Sequence, residues 1–398
     1  MQVVAHVFPF RVNNYVVDHL IDWGNPADPI FRLTFPQRHM LSDEDFARVE
    51  AAMRSGEKAR LNSVVTDVRN HLNPHPSGQM TSNVPHFRDG TLLSGVQHKY
   101  ERTVLFFPRQ GQSCHAYCNF CFRWPQFVGD PSLRIETSDI DPLIAYLREH
   151  EEIRDVLFTG GDPFIMRSGL LRRYVDALLS ANLEHIKSIR FGTKALTYWP
   201  YRFTSDDDST ELLECLTSII KAGKHATIMA HFNHPNELAA LPAQEALKRI
   251  QNCGAQVRTQ TPLLRGINDN AQVLAQLWEE QVRLGCIPYY LFATRDTGAQ
   301  RFFGVPLAES LALYVEALHG VSRLAATVRG PVMSSDPGKI LVQGISEVLG
   351  QKVFVLQLLQ SRHTEWAGRL FYAQYDPRAL WINELKPAFG EKAFFFDL

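Results

Sequence analysis

From about residue 100 the chain repeats one pattern, and that pattern limits the folds open to it. Short apolar or β-branched runs recur at 104–107, 156–158, 189–191, 226–231, 257–260 and 289–292. Amphipathic stretches lie between them. Ile140, Leu143, Ile144 and Leu147, for example, occupy i, i+3, i+4 and i+7 of a helix. Asn236 is expected to cap a helix through about residue 252, and Asn268-Asp269 another through about residue 284. After a longer first interval the runs return roughly every 30–37 residues, the size of one strand–helix unit. Six such units predict an α/β fold, a parallel sheet curled into a partial (β/α)6 barrel. In barrels of this kind the chemistry sits at the C-terminal ends of the strands.

Directly after the first strand comes Cys114-His115-Ala116-Tyr117-Cys118-Asn119-Phe120-Cys121. The spacing C-x3-C-x2-C delivers three thiolates to one small volume. Cubane iron–sulfur clusters are usually held by four cysteines; three would leave one iron open to a substrate or cosubstrate. A structural zinc site would want a fourth Cys or His at regular spacing, and His115 is too close to Cys114 to serve. The aromatic neighbours Tyr117, Phe120 and Phe122 suit a shielded redox cluster. The spacing therefore predicts a [4Fe-4S] cluster on Cys114, Cys118 and Cys121, with buried structural thiols as the bland alternative.

Composition excludes several other classes. Formal net charge is −1, which argues against a nucleic-acid surface. Apolar content of 45% and charged content of 21% allow a full core. Cys215, Cys253 and Cys286 are scattered among apolar residues and read as buried thiols, so a reducing cytoplasm is expected. No basic n-region followed by an apolar run opens the chain, and no run reaches about 18 apolar residues, so neither a signal peptide nor a membrane span is expected. Leu41-Ser42-Asp43-Glu44-Asp45 resembles a capping box. Asn73-Pro74-His75-Pro76-Ser77-Gly78 reads as an ordered loop over the main domain. Residues 353–359 read as a strand, and Phe394-Phe395-Phe396 as an apolar cap or oligomer contact. The expected division is an N-terminal extension (1–98), the barrel (99–330) and a C-terminal segment (331–398).

The cysteine spacing resembles that of the radical S-adenosylmethionine (SAM) enzymes. Thr159-Gly160-Gly161-Asp162-Pro163 follows the second strand, where residues without Cβ let backbone approach a ligand. It resembles the element that holds the SAM amino group. His231-Phe232-Asn233-His234-Pro235-Asn236-Glu237 ends the fourth strand; its two histidines lack a third ligand for zinc. With Arg190-Phe191-Gly192-Thr193 and 260–269 (QTPLLRGIND), these stretches are similar in order to lysine 2,3-aminomutase, from about residue 28 to about residue 339.

The resemblance implies a radical SAM enzyme that also binds pyridoxal phosphate (PLP). A 5′-deoxyadenosyl radical would abstract a β-hydrogen while PLP carries the α-amino group to the β-carbon. It implies SAM contacts from Gly160, Gly161, Asp162, His231 and Gln260, and a substrate-carboxylate grip from Arg123. It implies a PLP-phosphate segment at Lys99, Tyr100 and Arg102, although the family has arginine where Lys99 stands. Lys339 matches the Schiff-base lysine, but here Ser334-Ser335-Asp336-Pro337-Gly338 replaces a run of four glycines. Lysine-specific members set two aspartates against the side-chain ammonium. One has no counterpart near Val332, and the other is replaced by Arg295, with Asp296 next to it. A buried arginine facing a lysine side chain would cost several kcal/mol, so the expected substrate is a different amino acid; glutamate would fit Arg295. A flavodoxin or ferredoxin as reductant and a homo-oligomeric state are also implied, and the family's C-terminal zinc-associated cysteines are absent. The competing readings are a radical SAM enzyme without PLP, acting on a small molecule or peptide, and a non-catalytic iron–sulfur protein.

Overall fold

A computed structural model describes residues 1–73 and 81–397. The loop expected at 73–78 therefore lies, beyond Asn73, outside the described residues. The strands are β1 (Val96–Tyr100), β2 (Thr103–Phe106), β3 (Asp155–Phe158), β4 (Ser188–Thr193), β5 (His225–His231), β6 (Gln256–Pro262), β7 (Ile287–Phe292), β8 (Arg329–Ser334), β9 (Gly338–Val348), β10 (Gln351–Ser361) and β11 (Leu370–Gln374). They form one sheet in chain order. From β2 to β8 every neighbour is parallel. At the ends β1 pairs antiparallel with β2, and β8 to β11 form an antiparallel run.

The six runs read from the sequence are β2 to β7. A seventh parallel strand, β8, extends past the expected barrel end at 330. Its sequence, Arg329-Gly330-Pro331-Val332-Met333-Ser334, hides it, because Gly and Pro weaken any strand reading.

The sheet is strongly curled. In a flat sheet β1 and β9 would stand eight strand spacings apart, about 38 Å. Instead the Lys339 ammonium on β9 lies 5.4 Å from the centroid of the Tyr100 ring on β1. Among the described residues no ladder joins the two ends, so the barrel is open.

Alternation along the strands separates core from hollow. On β3, β4 and β6 the buried residues include Val156 and Phe158, Ile189 and Phe191, and Val257 and Thr259. The apolar ones pack against helices Asp141–Glu149, Ser168–Ser180, Ser209–Lys221 and Leu241–Asn252. Ile140, Leu143, Ile144 and Leu147 are all buried on that side, as their period requires. The partly exposed residues between them include Asp155, Arg190, Arg258 and Gln260, which gives the inner face a polar lining.

Two helix starts differ from expectation. Asn270, not Asn268-Asp269, caps Ala271–Arg283, accepting from the Gln272 and Val273 amides. Asn268 is buried and holds a loop instead: its Oδ1 accepts from Leu264 N, and its Nδ2 donates to the carbonyls of Asn233 and Pro262. Asn236 opens only the short helix Asn236–Ala239, and a new helix begins at Leu241 with Pro242 in its first turn.

The N-terminal residues build a second apolar cluster that takes in Ala116 and Trp124 from around the cysteine loop. Ser42 caps Asp43–Arg54 as its motif predicts, accepting from Asp45 N at 3.0 Å. At the other end Phe394 and Phe396 pack around Phe371, with centroids 5.6 and 5.5 Å away. No helix among the described residues is long and apolar enough to cross a membrane.

Candidate active site

The cysteine loop is clamped by backbone. Gly161 N and Asp162 N donate to Gly111 O at 3.1 and 3.0 Å, and Asp162 N also donates to Ser113 O at 2.7 Å. A Cβ on Gly161 would stand 2.2 Å from the Ser113 carbonyl oxygen. The Gly-Gly turn after β3 thus presses directly on the residues before Cys114. N-terminal residues cover the other side. Tyr117 N donates to Arg11 O and Asn119 N to Leu33 O, both at 2.8 Å, and Asn13 Nδ2 donates to His115 O at 3.3 Å.

Cys114, Cys118 and Cys121 lie within electrostatic reach of one another. Protein crowds them, yet each keeps some exposed surface, as the wall of a hollow does. Burial pushes the Cys118 thiol up to about 12, partly offset by the nearby Lys194 charge. Among the described residues no trio of His, Cys, Asp and Glu is arranged to hold a single metal ion. A cubane cluster asks for something else, because its thiolates bind separate iron atoms. Three thiols within electrostatic reach of one another fit that donor set.

Strand pairing puts His231 (β5), Gln260 (β6) and Tyr290 (β7) in one row across the sheet. His231 is held neutral: burial, then the charges of Lys194 and Arg123, lower it to about 4. Asp162 turns its carboxylate to the protein, accepting from Thr193 Oγ1, Lys194 N at 2.9 Å and Phe164 N at 3.0 Å. Lys194, which no motif singled out, bridges Glu237 at 2.6 Å and Asn233 at 2.8 Å.

Lys339 sits between aromatic rings, its ammonium 4.7 Å from the Tyr290 centroid and 5.4 Å from that of Tyr100. Burial and the Arg190 charge lower it to about 7, against the pull of Asp155. Lys99 is lowered to about 7 as well, by burial and then by Arg295, Arg362 and Lys339, with Asp336 opposing. The one glycine left before Lys339 has a steric reason, since a Cβ on Gly338 would meet Gln360 O at 2.0 Å. Arg102 does not join this group. Its exposed side chain pairs with Glu101 at 3.7 Å, and it is not among the charges acting on Lys99 or Lys339.

Arg123 and Arg295 approach the ring of Phe122, the residue after Cys121. Arg123 also lies over Phe107 at 4.7 Å, and its buried Nη1 has no hydrogen-bond partner among the described residues. Burial lowers Arg123 to about 10, leaving it protonated at neutral pH. Arg295 is largely buried, with Asp296 at 4.0 Å and Trp381 beyond Phe122. Arg362, missed by sequence reading, ties Asp336 (3.0 Å) to Ser82 O (2.8 Å). A cavity of about 750 Å³ shares Asp296 and Ser335 with this region and is walled by Trp381 and Phe394. The hollow thus gathers more positive than negative side chains, and an excess of buried cations favours anionic ligands. A phosphate and carboxylates fit it, and Lys339 is an amine of the kind that PLP requires.

No protein-family model matches the chain. An Aquifex aeolicus protein, provisionally named an L-lysine 2,3-aminomutase, is 32% identical over 96% of this chain and 89% of its own length. The chain belongs to the lysine 2,3-aminomutase family. Within that family, the glutamate 2,3-aminomutase of Clostridioides difficile is 30% identical over 80% of this chain and 63% of its own. The L-lysine 2,3-aminomutase of Bacillus subtilis is 29% identical over 59% of this chain and 46% of its own. Among solved structures, Streptococcus suis SuiB overlays 68% of this chain and 55% of its own at 13% identity and a TM-score of 0.38, from which nothing is inferred. Members of the lysine 2,3-aminomutase family are isomerases of the radical SAM class, and this chain is an enzyme of that kind.

Proposed function

We propose that the chain is a PLP-dependent radical SAM 2,3-aminomutase that moves the α-amino group of an acidic amino acid, such as glutamate, to its β-carbon. The observation that carries the reading is the Phe122 ring. It adjoins the cluster ligand Cys121 and receives both Arg123 and Arg295. When bound, the cluster and SAM supply a 5′-deoxyadenosyl radical, and PLP supplies a π-system able to carry the migrating nitrogen.

The chain's own residues do the rest. Cys114, Cys118 and Cys121 would hold the cluster, and the Gly160-Gly161 turn fixes their loop. His231 and Gln260 offer neutral polar groups beside it for SAM. Lys339, close to half deprotonated near pH 7, offers the amine for PLP, while Lys99 and Arg362 offer positive charge to its phosphate. Arg123 would take the α-carboxylate through a planar, bidentate fork. Arg295, where lysine-specific members carry an aspartate, would take the side-chain carboxylate. Phe107, Phe122 and Trp381 keep water from the radical. The reading carries with it the three-part division near 98 and 330, with β1 and β8 spanning those boundaries, a flavodoxin or ferredoxin as electron donor, a cytoplasmic setting and a homo-oligomer.

The test is anaerobic reconstitution with iron, sulfide and PLP, borohydride reduction, and mass-spectrometric mapping, followed by an amino-acid screen. A pyridoxyl adduct on Lys339, lost in Lys339→Ala, together with conversion of glutamate to its β-isomer, is expected. Faster turnover of lysine would overturn the substrate. No specific adduct would overturn the PLP step and point to radical chemistry without it.

A further inference from the structure

The turn that carries Lys339 is held from two sides of the hollow. Internally, Ser335 N and Ser335 Oγ both donate to Gly338 O, at 3.0 and 2.9 Å. From the end of β10, Ser361 Oγ donates to Pro337 O at 3.0 Å, and Arg362, the residue after that strand, pairs with Asp336 at 3.0 Å. Those β10 contacts follow from the ladder itself, because Ser361 is the strand partner of Gly338. The contact from β1 has no such origin. Lys99 Nζ donates to Ser335 O, yet β1 shares no ladder with β8 or β9 among the described residues.

We propose that Lys99 is a positioning residue: by holding the Ser335 carbonyl across the open seam of the barrel, it fixes the 335–338 turn and so the direction in which Lys339 enters the hollow. The proposal rests on the reading of Lys339 as the PLP amine. Its neighbour Tyr100 adds to the same effect, facing the Lys339 ammonium from the same strand. β1 therefore reaches Lys339 twice, at the turn before it and at its head group. An ammonium has three N–H donors, so holding Ser335 leaves two for an anion. Near pH 7 Lys99 loses its charge but keeps N–H donors, so the latch weakens rather than disappears.

The test compares wild type, Lys99→Met and Lys99→Arg as full-length protein. Hydrogen exchange over 334–341, read by mass spectrometry, needs no PLP. Lys99→Met should exchange roughly tenfold faster there, as expected for one lost charge-assisted hydrogen bond, with β5 and β6 unchanged. Lys99→Arg should restore protection. Reductive pyridoxylation of Lys339 should fall in Lys99→Met and recover in Lys99→Arg. Unchanged exchange at the turn in Lys99→Met overturns the proposal whatever PLP does. A pyridoxyl group on Lys99 in wild type also overturns it, since Lys99 would then be a reacting amine. If wild type takes no adduct at Lys339, the PLP reading fails, and the exchange data still judge the latch. Should Lys99→Met loosen every segment, Lys99→Arg decides: wild-type protection at the turn supports the latch, and faster exchange there alone refutes it.

Discussion

Arg123 and Arg295 share one aromatic ring: their guanidinium carbons lie 5.0 and 4.9 Å from the centroid of Phe122. Each gains from the ring's quadrupole, but each is also a like charge to the other, and the Arg295 charge helps to lower Arg123. Two cations brought together in a largely buried place are stabilised by anions bound to both. An amino acid with a second carboxylate would supply them.

That arrangement separates two variants. Arg123→Ala should weaken every amino-acid substrate. Arg295→Ala should selectively raise KM for glutamate, by roughly 30- to 900-fold if a buried charge contact worth about 2–4 kcal/mol is lost. Arg295→Asp should move the preference toward lysine. Steady-state kinetics with both amino acids checks this. A glutamate KM unchanged in Arg295→Ala would remove Arg295 from the substrate.

Gly161→Ala should loosen the cysteine loop. The added methyl meets Ser113 backbone at 2.2–2.5 Å, and backbone cannot rotate aside as a side chain can. A stability loss of about 1–3 kcal/mol is expected, together with lower iron content after reconstitution. Gly344→Ala is the control, because nothing lies within 4 Å of its Cβ position. Urea midpoints and iron assays report both. Equal behaviour of the two variants would count against the clamp.

Lys339 gives the cofactor-free protein a pH signature. Its amine is near 7 when folded, against about 10.4 in an unfolded chain. Between those values the unfolded chain holds the proton that the folded protein has released, so stability rises with pH. Below pH 7 the folded protein must bury an ammonium, and the contribution is at its least favourable. Urea midpoints at pH 7.0 and 7.8, where thiols with an ordinary value of about 8.5 are still mostly protonated in the unfolded chain, should rise less in Lys339→Met than in wild type. Identical slopes would mean that the Lys339 amine is not perturbed.

His231 should remain neutral through the whole working range. With a folded value of about 4, its ring resonances in the metal-free protein should not titrate between pH 5.5 and 8. A midpoint near 6.5 by NMR would show a solvated imidazole and would take His231 out of the hollow's wall.

The features legible in the sequence are those encoded by neighbours in the chain. The six runs that became β2 to β7 announce themselves by local apolar content, the helix after Ile140 by its period, and the Ser42 cap by the residue three positions on. The cysteine spacing is local in the same sense. Family likeness added Lys339, Arg123 and Arg295 as candidates, because each is located by its place relative to neighbours in the chain. What the tertiary structure alone decided depends on how far the sheet curls. Curling brings Lys99 to Ser335, 236 residues away, and Arg362 to Ser82, 280 residues away. It also leaves Arg102, a near neighbour of Lys99 in sequence, pointing to solvent. No spacing rule reports such pairs. They arise from the summed twist of many strands, and the side chains that close the seam are selected by where that twist ends.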